Sequence, residues 1–80
     1  MRLDKFLKVS RIIKRRTVAN DACDASHVTV NGKVAKASYD VKIGDVIEVG
    51  FGQSVPRVRV TDVRETVRKE AASDMYEVLN

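Results

Sequence analysis

The chain has very little with which to do covalent chemistry. Its 80 residues include one histidine, one cysteine, one proline, no tryptophan and four aromatic side chains in all, two Phe and two Tyr. A lone Cys23 excludes an intramolecular disulfide and a multi-cysteine metal site. Cys23 also falls on the apolar face of a predicted helix, where an inert packed thiol is the default. His27 opens an alternating stretch beside Val28, a setting that suits a structural or binding role better than a general base. No HExxH, GxSxG or phosphate-loop pattern occurs. Gly50-Phe51-Gly52 resembles half of a nucleotide-binding fingerprint, but no helix follows to present its amino end to a phosphate, so it reads as a turn. Asp21 and Asp24 share a helix face without a third ligand. The pattern predicts neither an enzyme nor a cofactor-binding protein. No apolar run is long enough for a signal peptide or a membrane span, since charge interrupts Leu3–Ile13 throughout. The chain reads as cytoplasmic. A domain this small buries only about 60% of its unfolded surface, which leaves room for one modest core and no shielded cleft.

Basic charge is plentiful and unevenly placed. The formal net charge is +4. Residues 1–20 hold seven basic side chains (Arg2, Lys5, Lys8, Arg11, Lys14, Arg15 and Arg16) against Asp4 alone, a net of +6. Residues 21–80 hold eight basic and ten acidic side chains, a net of −2. One strongly positive end points to nucleic acid or an anionic surface. Charge runs are ordinarily just solubilising. Here they lie over Leu3, Phe6, Leu7, Ile12 and Ile13, which a disordered tail would not carry.

Leu3, Phe6 and Leu7 have the spacing of a buried helical stripe. Arg2, Lys5 and Val9 point away from it, and Lys8 is expected to pair with Asp4 four residues earlier. Arg2 and Lys5 are then the charges of this helix left for a partner. Arg11–Arg16 forms a basic connector. Thr17 is predicted to cap a second helix from Val18 to about Ala25, burying Val18, Ala19, Ala22 and Cys23. From His27 the period changes to two. Val28 and Val30 run into Asn31-Gly32, a strong hairpin signal, and Val34 begins the return. Ile43-Gly44-Asp45 reads as a turn into a strand over Val46–Phe51, and Gly50 and Gly52 as another. A further strand spans Val55–Val63, with Pro56 predicting a sheet edge at its start. Arg64–Ser73 reads as a short helix. Met75–Leu79 reads as a strand or a packed extension.

Structured RNA fits these features better than DNA or a single strand. A major-groove helix needs Asn, Gln and Arg at its base-reading positions. The second helix offers aspartates that would repel phosphate. Single-strand binding rests on aromatic platforms, and Phe6 is committed to the core, leaving Tyr39, Phe51 and Tyr76. The remaining mode is recognition of a folded RNA's backbone shape. A membrane surface is disfavoured, because the first helix would have to surrender its core stripe to insert.

The ordered pieces Arg2-Leu3-Asp4-x-x-Leu7, the basic connector before Thr17, His27-Val28-x-Val30-Asn31-Gly32-Lys33 and Val41-Lys42-x-Gly44-Asp45-x-Ile47 resemble the S4-type RNA-binding domain, the alpha-L motif. The resemblance covers roughly residues 1–50. It departs at Ser26, where glycine is usual before the histidine, and at Ile43, where proline is usual before Gly44-Asp45. It implies an α+β fold: two short N-terminal helices packed on a small antiparallel sheet, with a strand and C-terminal extension over 51–80, all in one domain spanning 1–80. Fused members carry a catalytic domain that these residues lack. The start at Met1–Arg11 and the close at Met75–Leu79 resemble the RqcP-type branch of the family, related to the ribosome-associated small heat-shock protein. That branch implies binding to large ribosomal subunits, through rRNA and a stalled peptidyl-tRNA, alongside RqcH while alanine is added to the nascent chain. The protein is expected to be a monomer when free. Mapped residue by residue, the implied RNA contacts are Arg2, Lys5, Arg11, Lys14, Arg15 and Arg16, with Asn31 and Lys33 secondary at the hairpin tip. Arg2 and Arg16 are expected to matter most and to be neutral for stability. Lys8 and Arg59 are expected to be spectators.

Overall fold

The computed structural model describes residues 1–50, 56–64 and 69–79. Two helices, α1 (Leu3–Val9) and α2 (Arg16–Asp24), precede strands β1 (Val28–Val30), β2 (Lys33–Val34), β3 (Val46–Val49) and β4 (Arg57–Val60). A 3₁₀ segment, Lys69–Met75, leads into β5 (Tyr76–Val78). The strands form one antiparallel sheet in the order β2-β1-β3-β4-β5.

Period decides what is buried. Leu3, Phe6 and Leu7 of α1 are fully buried, and α2 contributes Ala19, Ala22 and Cys23 at i, i+3 and i+4. Small side chains on that face allow α2 to pack closely on α1. Across the sheet, the register sets Val28 opposite Val49 and Val30 opposite Ile47, and Ile47 opposite Val58. These residues join the helices in one apolar cluster that also takes in Ile13, Val41, Val60 and Met75. Burying a side chain the size of Leu or Phe stabilises by about 1.5–3 kcal/mol. Cys23 is part of this packing, and burial first, then the nearby Asp4 and Asp24 charges, push its thiol up to about 11.

The Asn-Gly signal holds. Asn31 and Gly32 both take positive φ, 54° and 83°, the backbone of a type I′ turn. Gly44 likewise adopts φ 95° in the turn before β3. Ser26, the serine in a glycine position, is itself left-handed at φ 63°. It ends α2 in a Schellman arrangement, with the Ser26 amide donating to the Cys23 carbonyl and the His27 amide to that of Ala22.

Several expectations need correction. Thr17 is not the cap of α2: the helix begins at Arg16 behind Arg15, which makes no side-chain cap. Val18 is 44% exposed rather than core, because the buried face runs through Ala19 one residue on. β4 is an interior strand between β3 and β5, and Pro56 stands just before it, its carbonyl accepting from the Val49 amide. Proline has no N–H to return that bond, so the β3–β4 ladder ends there while β4 itself stays interior. The predicted helix over Arg64–Ser73 appears as 3₁₀ from Lys69, and Met75–Leu79 resolves in favour of a strand. The predicted turn at Gly50–Gly52 lies largely outside the described residues, as does the start of the Val55–Val63 strand.

Candidate nucleic-acid interface

The positive end is built on a sewn-down amino terminus. The Leu3 amide donates to the Tyr39 carbonyl at 2.8 Å and the Asp4 amide to that of Ala37 at 3.2 Å, while the Val41 amide donates to the Met1 carbonyl at 2.8 Å. The Met1 ammonium pairs with Asp40 at 2.7 Å. Arg2 is therefore fixed between an anchored residue and the buried Leu3, with its side chain half exposed.

Asp4 organises the donors of both helices. It is 2% exposed although charged. Arg2 donates through Nε to Asp4 Oδ1 at 3.2 Å and through Nη2 to Oδ2 at 3.4 Å. Asn20 of α2 donates Nδ2 to Oδ2 at 3.3 Å, and the Lys5 amide donates to Oδ1 at 2.8 Å. Arg16 Nε lies 3.4 Å from Oδ2. Burial alone would push the Asp4 carboxyl up, but the donors from Arg2, Asn20, the Lys5 amide and Arg16 together outweigh it and hold the group below its ordinary value. The expected Asp4–Lys8 pair does not form among the described residues. Lys8 is exposed, and the carboxylate turns towards α2 instead. Tertiary donors have overridden the local i,i+4 rule. Arg2 is correspondingly no free charge, since its guanidinium is shared between Asp4 and solvent.

The connector is pinned from below. Ile13 is buried, Ile12 half-buried, and the Ile13 amide donates to the Leu7 carbonyl at 3.0 Å. Arg11, Lys14, Arg15 and Arg16 are left exposed above them. Arg11 holds a left-handed backbone at φ 64° just beyond α1, a conformation that glycine adopts at least cost. Lys5 is half-buried on α1.

The hairpin tip is different. Asn31 is occupied by the fold: its Nδ2 donates to Asp45 Oδ1 at 3.1 Å and its Oδ1 accepts from the Val46 amide at 3.0 Å. Asp45 accepts further from the Tyr39 hydroxyl at 3.0 Å and the Lys42 amide at 3.0 Å. Lys33 is exposed on β2, an edge strand of the sheet. The structure thus brings Arg2 and Arg16 together on one carboxylate and lines Arg11, Lys14 and Arg15 along the adjoining connector. Asn31 and Lys33 belong to the β1–β2 hairpin rather than to the helices or the connector. The sequence pattern paired Asp4 with Lys8 and gave Asn20 no role. One signal was available for Asp4: it is the sole acid among residues 1–20 and follows a core leucine.

Comparison with known proteins identifies the family. The S4 domain model matches residues 1–47, the stretch that carries both helices, the connector and the hairpin. Over 78 residues the chain is 60% identical to the RQC P-site tRNA stabilizing factor of Halalkalibacterium halodurans, covering 98% of this chain and 89% of that protein. The chain belongs to this family. A second member, from Bacillus subtilis, is 53% identical over 99% of this chain and 92% of its own length. The family is an S4-domain, non-enzymatic one. Among solved structures, the trimeric heat shock protein 15 of Vibrio cholerae superposes with a TM-score of 0.92 at 29% identity, covering 99% of this chain and 81% of that one. The helix pair on an antiparallel sheet is therefore shared across both branches. Among the described residues no helix is long and apolar enough to cross a membrane.

Proposed function

We propose that this protein binds structured RNA on the large ribosomal subunit during ribosome-associated quality control, where it steadies a P-site tRNA. The face that does so comprises Arg2, Lys5, Arg11, Lys14, Arg15 and Arg16, with Lys33 a secondary contact at the hairpin and Asn31 shaping that hairpin. One observation carries the reading. A buried carboxylate gathers two arginines beside a rigid basic connector, at the amino end of a helix that has no side-chain cap. Guanidinium groups fork onto phosphate oxygens in a way that ammonium groups do not. Uncapped helix amides add partial positive charge at the same place.

The finer reading is carried over from the resemblance to the RqcP-type branch. The subunits engaged carry a stalled peptidyl-tRNA, and the protein works with RqcH while alanine is added to the nascent chain. It acts in the cytoplasm, as a monomer when free and as one domain over residues 1–80. Arg2→Ala or Arg16→Ala should then strip the protein from purified large subunits in co-sedimentation, while Lys8→Ala and Arg59→Ala stay close to wild type. With about five phosphate contacts, log affinity should fall against log salt with a slope of roughly −3.5 to −4.5. Equal loss in all four variants, or a flat salt response, would overturn the defined face.

The likeness to heat shock protein 15 favours a second reading: a general binder of free large subunits, or an assembly factor. Subunits recovered with the protein from cells decide between the two. Peptidyl-tRNA enriched on them supports the first reading, and bare subunits support the second.

A further inference from the structure

We infer that Asp4 is a positioning residue for RNA: its buried carboxylate holds Arg2 and Arg16 as one preset cationic pair, and that geometry rather than total charge sets affinity. The inference rests on the reading that this face meets phosphate.

An acid here is paradoxical. Asp4 is the single acidic residue among the first twenty, and it lies under the most basic part of the molecule. If phosphate attraction depended on charge alone, asparagine would serve better, since it fills nearly the same volume and adds +1 to the face. Yet the chain buries a carboxylate at this point and surrounds it with donors from both helices. What the carboxylate achieves is convergence. Arg2 precedes α1 and Arg16 opens α2, so the two come from different elements and would repel each other at close range. A shared anion makes their proximity favourable.

The contacts leave the guanidiniums available for more. Each has five N–H donors in a fixed fork. Arg2 gives its Nε and Nη2 to Asp4, and Arg16 approaches through Nε, so the outer edges of both remain open to solvent. Both side chains stay about half exposed, at 50% and 47%. An arginine already held by one oxygen pair loses less freedom when its outer edge meets a phosphate. Asn20 completes the device, because its amide ties the same carboxylate to the middle of α2 without adding charge.

A purely structural clip between α1 and α2 would look similar, so the test must separate the two roles. Binding to purified large subunits is measured for folded variants well below their melting temperatures. Asp4→Asn is expected to weaken binding on the order of tenfold despite its added positive charge, and to reduce the salt slope by about one contact. Asp24→Asn, the same charge change on an exposed residue of α2, is expected to match wild type or bind slightly tighter. In a background of Arg2→Ala with Arg16→Ala, the residual binding measured at low salt should not fall further with Asp4→Asn, whereas a clip would still cost. If Asp4→Asn does not fold, Asn20→Ala takes its place, with a loss of about twofold expected from loosening one donor. Tighter or unchanged binding by folded Asp4→Asn overturns the inference, as does unchanged binding by Asn20→Ala where it stands in. Unchanged binding by Arg2→Ala and Arg16→Ala would instead sink the RNA face itself.

Discussion

Among the described residues two carboxylates, Asp4 and Asp45, are buried, satisfied in nearly the same way and put to different ends. Asp4, at the seam of the helices, accepts from two arginines, an asparagine and a backbone amide. Asp45, at the corner of the hairpin, accepts from an asparagine, a tyrosine hydroxyl and a backbone amide. A buried charge is tolerated only when donors replace its lost water, and both sites meet that condition. The difference lies in the donors. Neutral groups around Asp45 end at the carboxylate, so the site fixes a turn and nothing projects from it. Around Asp4 half of the donors are guanidiniums with further N–H groups facing outward. The same physical device becomes a strut in one place and a mount in the other.

The largest effect expected from this contrast is on stability. Asp45→Ala leaves the Asn31 side chain, the Tyr39 hydroxyl and the Lys42 amide without their acceptor. It should destabilise by about 2–4 kcal/mol, read as a lower midpoint in chemical denaturation. The fraction that remains folded should lose at most the secondary hairpin contact and otherwise bind large subunits as wild type does. A folded Asp45→Ala protein impaired as strongly as Arg2→Ala would mean the hairpin corner is a primary part of the RNA face, and the contrast would fail.

Acid supplies a gentler test of the other carboxylate. The fold holds the Asp4 carboxyl below its ordinary value of 3.8. A depressed folded value means the contribution is fully present above that ordinary value and disappears as pH falls through the lower one. Melting temperature should therefore be nearly level from pH 7 to about pH 5 and fall below about pH 4. Asp40, lowered through its bond and charge contact with the Met1 ammonium, acts with the same sign. Asp4→Asn should flatten part of that acid decline, and an unchanged profile would contradict the ionised mount.

Much of this was legible in the residues, and the failures share a cause. The Leu3, Phe6 and Leu7 stripe, the Asn-Gly turn and the strand alternation are local patterns, and each survives in the fold. Asp4 was misread because the i,i+4 rule offers Lys8 as partner. Two of the actual donors, Arg16 and Asn20, lie more than ten residues away and become neighbours only once α2 docks. The Thr17 cap failed for a related reason, since α2 starts a residue earlier among exposed cations that need no cap when the end faces solvent. Pro56 misled because it marks where the β3–β4 ladder ends, not the place of β4 in the sheet. Of the expected contacts, Asn31 was placed by its position at a hairpin tip, and sequence alone could not reveal that Asp45 would occupy its side chain.

The smallest effect sharpens the comparison at the level of backbone strain. Ser26 and Arg11 both end helices with a left-handed residue, at φ 63° and 64°, where a side chain costs what glycine does not. Ser26 leads into the sheet, and its amide serves the α2 terminus whatever the side chain. Arg11 sits in the basic connector, where its exposed charge faces the proposed RNA. Each residue changed to glycine should gain stability of about 1 kcal/mol or less, read as a small rise in melting temperature. Their binding should diverge. Ser26→Gly is expected to hold large subunits as wild type does. Arg11→Gly should bind more weakly and lose about one unit of salt slope, as one phosphate contact disappears. Strain at Ser26 would then be a plain cost of sequence drift at a turn, while strain at Arg11 is kept because the side chain works outside the fold. If Arg11→Gly gains stability and loses no affinity, the connector's charges are spectators at that position and the interface contracts towards Asp4.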